Sequence, residues 1–169
     1  MPKRVAILAE DDYEDMELWY PLIRMKEAGH EVKVVGSGRS AVFRSKHGYE
    51  VRADIDADKA DPEDFDALVI PGGFAPDRLR RVTTVNEFVK KMAHQGKLIA
   101  AICHGPSVLI SANVLKGRKV TCFTSIRDDV MNAGARYKDE EVVIDGNLIT
   151  SRNPSDLPAF MRAVIANLK

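Results

Sequence analysis

Cys103-His104-Gly105 sits between the apolar run Leu98 to Ile102 and a helix-like pattern of Pro106, Val108, Leu109 and Ala112. A thiol placed where a strand turns sharply into a helix meets backbone N–H groups and the positive end of the helix dipole, and both favour thiolate. Gly105 leaves room for a substrate to approach, and the turn offers N–H donors to an oxyanion. The stretch therefore reads as a nucleophile elbow. His104 is the obvious base, yet sequence neighbours do not normally face each other, so a Cys–His pair here requires a strained backbone. A base also needs a carboxylate on its far nitrogen. Glu14, just beyond the first apolar run, and Asp77, shortly after Gly72-Gly73, are the two candidates, each weighed against an ordinary acid at a helix start. Cys122 lies in an apolar pattern with no helix start behind it and reads as an inert buried thiol.

Other chemistries find no footing. There is no His-Glu-x-x-His, and the acids of Asp54-Ile55-Asp56-Ala57-Asp58 lack the glycine a calcium loop needs, so no metal is expected. Gly-x-Ser-x-Gly is absent. Gly36-Ser37-Gly38-Arg39-Ser40-Ala41 imitates a dinucleotide fingerprint, but no helix pattern opens at its glycines, so no nucleotide cofactor is expected either. Lys plus Arg and Asp plus Glu each number 25, a balance that draws the chain to neither nucleic acid nor an anionic membrane. Five apolar residues precede Glu10, too few for a signal peptide, and the two cysteines show no paired spacing. The expectation is a cytoplasmic protein of one domain with free thiols.

The elements that must position these groups alternate along the chain. Strands are expected over Arg4 to Ala9, Glu31 to Val35, Asp66 to Ile70, Leu98 to Ile102 and Lys119 to Phe123. A helix between the first two carries Met16, Trp19, Leu22, Ile23 and Met25, with Pro21 as a kink or restart. Ala41 to Phe43 and Tyr49 to Val51 suggest a small antiparallel excursion, and Asp54 to Asp64 an acidic connector. Thr84 with Glu87 forms a capping box for a helix to about Gln95, Ser125 a cap for a helix through Met131, and Ser155 a cap for the last helix. Val142 to Ile144 and Leu148 to Thr150 flank Asp145-Gly146-Asn147 as a hairpin. Such alternation predicts an α/β fold, a mostly parallel sheet with helices on both faces, whose ligand site lies at the carboxyl ends of the strands.

With these pieces in order, the chain resembles the PfpI/ThiJ family, cysteine proteins on a flavodoxin-like sheet related to class I glutamine amidotransferases. The resemblance runs through Glu14-Asp15, Gly29-His30-Glu31-Val32, Lys46-His47-Gly48, Asp66 to Gly73, Ala101 to Pro106, Leu115 to Arg118, Asp128-Asp129, Asn132 to Gly134 and Ser151-Arg152. It implies that Cys103 is the nucleophile, that Glu14 shares a hydrogen bond with its sulfur, and that N–H groups about Gly72-Gly73 and His104-Gly105 form the oxyanion pocket. It also implies that His104 pairs with an acid from a neighbouring subunit, at the position of Asp77, where glutamate is usual. A homo-oligomer follows, a dimer or a hexamer built from dimers.

Two kinds of function are open at this point. One is an enzyme whose thiolate attacks a carbonyl carbon, either a glyoxalase or deglycase of small carbonyl compounds or an intracellular peptidase acting on polypeptide. The other is an oxidant-sensing stress protein or chaperone whose Cys103 is oxidised. The tight elbow suits a small carbonyl better than an extended peptide.

Overall fold

The computed structural model describes residues 1–168. Apolar runs long enough for one strand each become the central strands: β1 (Arg4–Ala9), followed by α1 (Asp15–Glu27), and β2 (Glu31–Gly36). A short hairpin follows, β3 (Val42–Arg44) with β4 (Glu50–Arg52), then β5 (Ile55–Asp56) and β6 (Ala67–Ile70). Helices α2 (Ala75–Leu79) and α3 (Thr83–His94) lead to β7 (Leu98–Ile102) and α4 (Pro106–Ser111). The chain ends with β8 (Lys119–Val120), α5 (Arg127–Asn132), β9 (Arg136–Tyr137), β10 (Val143–Asp145), β11 (Leu148–Ser151) and α6 (Leu157–Asn167).

The main sheet has seven strands in the order β10-β11-β7-β6-β1-β2-β5, all parallel except the edge strand β10. Strands β6 and β7 are buried along their whole length, as strands covered on both faces must be. The chain steps one way from β1 to β2 and the opposite way from β6 to β7, so right-handed crossovers place α1 and α3 on opposite faces. Accordingly α1 packs with α6, and α3 with α4. The reversal between β1 and β6 opens a crevice at their carboxyl ends, where open α/β sheets bind ligands.

Several expectations need correcting. The acidic connector contains β5, which extends the sheet beside β2. The strand expected over Lys119 to Phe123 keeps only two residues and pairs with β9 outside the main sheet. Helix α1 runs through Pro21. The proline lies six residues into the helix and gives up one hydrogen bond, while Leu18, Leu22 and Met25 on the same helix are buried in the core. Neither Thr84, Ser125 nor Ser155 caps its helix. Helix α3 starts after Val82 and α5 after Ile126 without side-chain caps, and Asn153 caps the turn that leads into α6. The Gly36–Ala41 loop opens no helix. Instead Ser37 and Arg39 bind the fully buried carboxylate of Glu10, with Arg39 Nε and a terminal nitrogen each 3.0 Å from it. No helix among the described residues is long and apolar enough to cross a membrane.

Candidate active site

The elbow is strained as its position requires. Cys103 has φ 63°, a left-handed conformation that a non-glycine residue enters only when its surroundings impose it. They do so on both sides: the Cys103 N–H donates to Ser151 O at 3.0 Å, and Cys103 O accepts from Phe123 N at 2.9 Å. Gly105 has an ordinary helical conformation but no space for a side chain, since a Cβ there would lie 2.5 Å from Ile70 O and 2.9 Å from Ile102 O. Without that close approach the turn could not tighten into α4.

The strained turn brings the sequence neighbours together. Cys103 Sγ lies 3.2 Å from His104 Nδ1. The opposite ring nitrogen, Nε2, lies 3.0 Å from Ser125 Oγ, and the ring stacks on Phe123 at 4.9 Å and 29°. Of the four expected oxyanion positions, two are free to act. The N–H of Gly72 donates to Glu17 Oε1 at 2.9 Å and that of Gly105 to Ile102 O at 2.8 Å, so both are already engaged. Gly73 and His104 donate to no backbone acceptor, and their N–H groups favour charge on the Cys103 sulfur.

The carboxyl beside the sulfur is that of Glu17, one turn beyond the expected Glu14. Glu14 lies just outside α1 and caps it, its Oε2 accepting the Glu17 N–H at 2.9 Å. Glu17, inside the helix, is fully buried, and its Oε2 has no hydrogen-bond partner. Gly72 is the junction of the cluster. A Cβ on it would lie 2.5 Å from Glu17 Oε1, 2.7 Å from Cys103 Cβ and 3.0 Å from His104 N. Only a glycine lets the three groups meet.

Burial dominates the electrostatics. It pushes the Glu17 carboxyl up to about 8, with the nearby Glu14 charge adding to the effect. It pushes the Cys103 thiol up to about 12, with Glu17 adding to that. The expected lowering of the thiol by the elbow donors is present but outweighed, because Cys103 is only 7 % exposed. At neutral pH Glu17 keeps its proton, so its charge no longer opposes a thiolate. His104 is held below its usual range by burial and by Lys46. Lys46 Nζ stands 3.9 Å from Glu14 Oε1 and is a cation at the edge of the site.

Asp77 lies on α2, exposed and paired with Arg81, and makes no contact with His104 of its own chain. Three residues found here, Glu17, Lys46 and Ser125, carried no catalytic role from pattern alone. Glu17 was signalled, since it shares a helix face with Glu14 three positions earlier. Lys46 and Ser125 depend on where their loops fold back, which no local pattern announces.

Residues 3–167 match the DJ-1/PfpI family. The chain is 49 % identical over 166 residues to "Deglycase PfpI" of Pyrococcus furiosus, covering 98 % of this chain and 99 % of that one. It is 45 % identical over 169 residues to "Putative cysteine protease YraA" of Bacillus subtilis, covering both chains completely. Among solved structures, a two-domain protein of Anabaena variabilis with DJ-1/ThiJ/PfpI-like and ferritin-like domains superposes with a TM-score of 0.96 at 48 % identity, over 98 % of this chain and 48 % of that one. Drosophila melanogaster DJ-1beta superposes with a TM-score of 0.92 at 29 % identity, over 99 % of this chain and 91 % of that one.

Proposed function

This chain belongs to the DJ-1/PfpI family, and on that premise we propose that it is a cysteine-nucleophile enzyme acting on small carbonyl compounds, of the glyoxalase or deglycase kind. The observation that carries this reading is the Cys103 sulfur 3.2 Å from His104 Nδ1, with the free N–H groups of Gly73 and His104 and the protonated Glu17 carboxyl around it. His104 Nδ1 takes the thiol proton as sulfur bonds to the carbonyl carbon, and the C=O electron pair moves to oxygen. The two N–H groups face that oxyanion, and Glu17 supplies its proton. In a 2-oxoaldehyde, the proton on the thiohemiacetal carbon then moves to the neighbouring carbonyl carbon while the hydroxyl proton passes to the neighbouring oxygen. The product is a thioester, which water opens to a 2-hydroxy acid and the free thiol.

A nearly buried sulfur admits a small aldehyde more readily than an extended polypeptide, which weighs against the peptidase alternative. The test compares wild type with Cys103→Ala on methylglyoxal, followed by NMR for lactate, and on an unfolded polypeptide, followed for new termini. Cys103-dependent lactate without cleavage supports the proposal. Cleavage without lactate replaces it with a peptidase.

The unpartnered Glu17 Oε2 favours a second reading, in which Cys103 is oxidised by peroxide and a protonated Glu17 donates to the added oxygen. Mass spectrometry after peroxide treatment should then find Cys103 modified before Cys122, and the reverse order would remove this reading. In either case the proposed partners are small molecules and further copies of this chain, as a dimer or a hexamer built from dimers in the cytoplasm. Light scattering reads the assembly directly.

A further inference from the structure

The tip between β3 and β4 is fastened to the start of α1 more firmly than a surface turn requires. Lys46 donates its N–H to Tyr13 O at 3.0 Å, Ser45 Oγ donates to Asp15 Oδ2 at 2.7 Å, and His47 Nδ1 lies 2.8 Å from Asp15 Oδ1. Tyr13, fully buried, donates its hydroxyl to Tyr49 O at 2.7 Å on the other side of the tip. These ties fix the backbone of Lys46, and its side chain, 38 % exposed, stays open to solvent. Nζ is 3.9 Å from Glu14 Oε1, outside hydrogen-bond distance, and among the described residues it donates to no acceptor of its own chain. Resting on Cys103 as the nucleophile toward small carbonyl compounds, we propose that Lys46 is the specificity-determining cation of the site. The substrates it selects are 2-oxoaldehydes that carry a carboxylate, which its ammonium binds.

The charges around the sulfur support this assignment. At neutral pH Glu17 holds its proton, Cys103 is a thiol and His104 is held below its usual range, so the groups nearest the reacting carbon carry no net charge. The other acids of the turn before α1 have partners: Asp11 pairs with Arg39 at 3.5 Å, and Asp12 with Arg78 at 2.6 Å. Glu14, which faces Lys46, accepts the Glu17 N–H on Oε2. Its charge offsets part of the ammonium's field, so the gain comes from the hydrogen bonds an anion makes at close range. An uncharged aldehyde leaves those donors without an acceptor, whereas a carboxylate fills them. The reaction itself is unchanged. With 4,5-dioxopentanoate the aldehyde carbon bonds to sulfur, the carboxylate stays at Lys46, and addition of water yields 2-hydroxyglutarate.

The test reads charge selection at the sulfur and needs no turnover, so its failure and that of the enzyme reading are told apart. Full-length wild type, Lys46→Met, Lys46→Arg and Lys97→Met are alkylated with iodoacetate, an anion, and with iodoacetamide, its neutral counterpart of similar size. Mass spectrometry reads each rate at Cys103, and their ratio cancels any change in the reactivity of the thiol itself. Lys46→Met should lower the iodoacetate-to-iodoacetamide ratio about fivefold, the order expected of one partly screened unit charge, and Lys46→Gln should repeat the fall. Lys46→Arg should keep the ratio, and Lys97→Met, at the opposite end of β7 from the elbow, should match wild type. Where 2-oxoaldehydes are turned over, kcat/KM for 4,5-dioxopentanoate relative to methylglyoxal should fall in Lys46→Met by a similar factor, chiefly through KM. A ratio unchanged in Lys46→Met overturns the proposal, which is also the result if an acid of another copy neutralises the ammonium. An equal fall in Lys46→Arg or Lys97→Met overturns it too.

Discussion

The two cysteines of this chain are alike in every respect that burial controls and unlike in what surrounds them. Both are buried free thiols, and burial pushes both up to about 12. They are close in the fold, since the residue after Cys122 donates to the carbonyl of Cys103. Yet Cys122 has ordinary backbone, and the charges of Asp129 and Arg127 act on it in opposite directions. Cys103 is held at positive φ, with an imidazole nitrogen 3.2 Å away and the N–H groups of Gly73 and His104 favouring charge on its sulfur. A raised thiol therefore says nothing of chemistry here. The convergence of donors and base on one sulfur does.

The sharpest way to break that comparison is to remove each sulfur in turn. Cys103→Ala should bring turnover of methylglyoxal down to the uncatalysed background with an unchanged circular dichroism spectrum. Cys122→Ala should keep turnover and lose about 1 kcal/mol of stability from the small cavity left in the core. Equal losses of turnover would mean that the elbow does not distinguish the two sites.

Glu17→Gln should lower turnover by roughly a hundredfold, within the range for a general acid. In wild type, activity should fall as pH rises through about 8, where Glu17 gives up its proton, and in the variant that limb should vanish. Stability follows the same group. The folded chain holds a proton that the unfolded chain releases between 4.5 and about 8, so stability is full below pH 4.5 and declines up to about 8. Denaturant midpoints measured across that range should slope downward in wild type and flatten in Glu17→Gln.

Gly72→Ala forces a Cβ against Glu17 and Cys103, so it should destabilise by about 1–3 kcal/mol and lower turnover, while the same change at exposed Gly29, beyond the far end of α1, strains only its own turn and leaves turnover intact. Thermal unfolding together with turnover reads both effects. The smallest change is expected of Glu14→Gln. It weakens the cap of α1 by about 1 kcal/mol and should leave peroxide oxidation of Cys103 close to wild type, because Glu17 is the carboxyl at the sulfur. A large fall in oxidation would return Glu14 to the sulfur's immediate partner.

Much of this was legible in the chain itself. Strands β1 and β7 follow the expected boundaries, and the elbow, the hairpin of β10 and β11 and the Gly72-Gly73 strand end stand where the pattern puts them. The rejection of Gly36–Ala41 as a nucleotide loop also rests on local pattern. Strands read less well where their partners are remote, as in β5 and β8, whose two residues each carry no period. Capping was misread at Thr84, Ser125 and Ser155 because a hydroxyl near a helix start has several possible acceptors, and packing chooses among them.

By itself the sequence determined the alternation of strands and helices, the strained Cys103 turn and the glycines that permit close approach, all of which depend on residues a few positions apart. Tertiary structure decided which carboxyl meets the sulfur. Glu14 and Glu17 share one helix face, and only the docking of α1 against the ends of β6 and β7 sets Glu17 inside and leaves Glu14 as the cap. It also decided that Ser125 and Lys46, 21 and 58 residues from His104 along the chain, arrive at the same site. Contacts between distant segments arise from the whole packing of the sheet, and no local pattern encodes them.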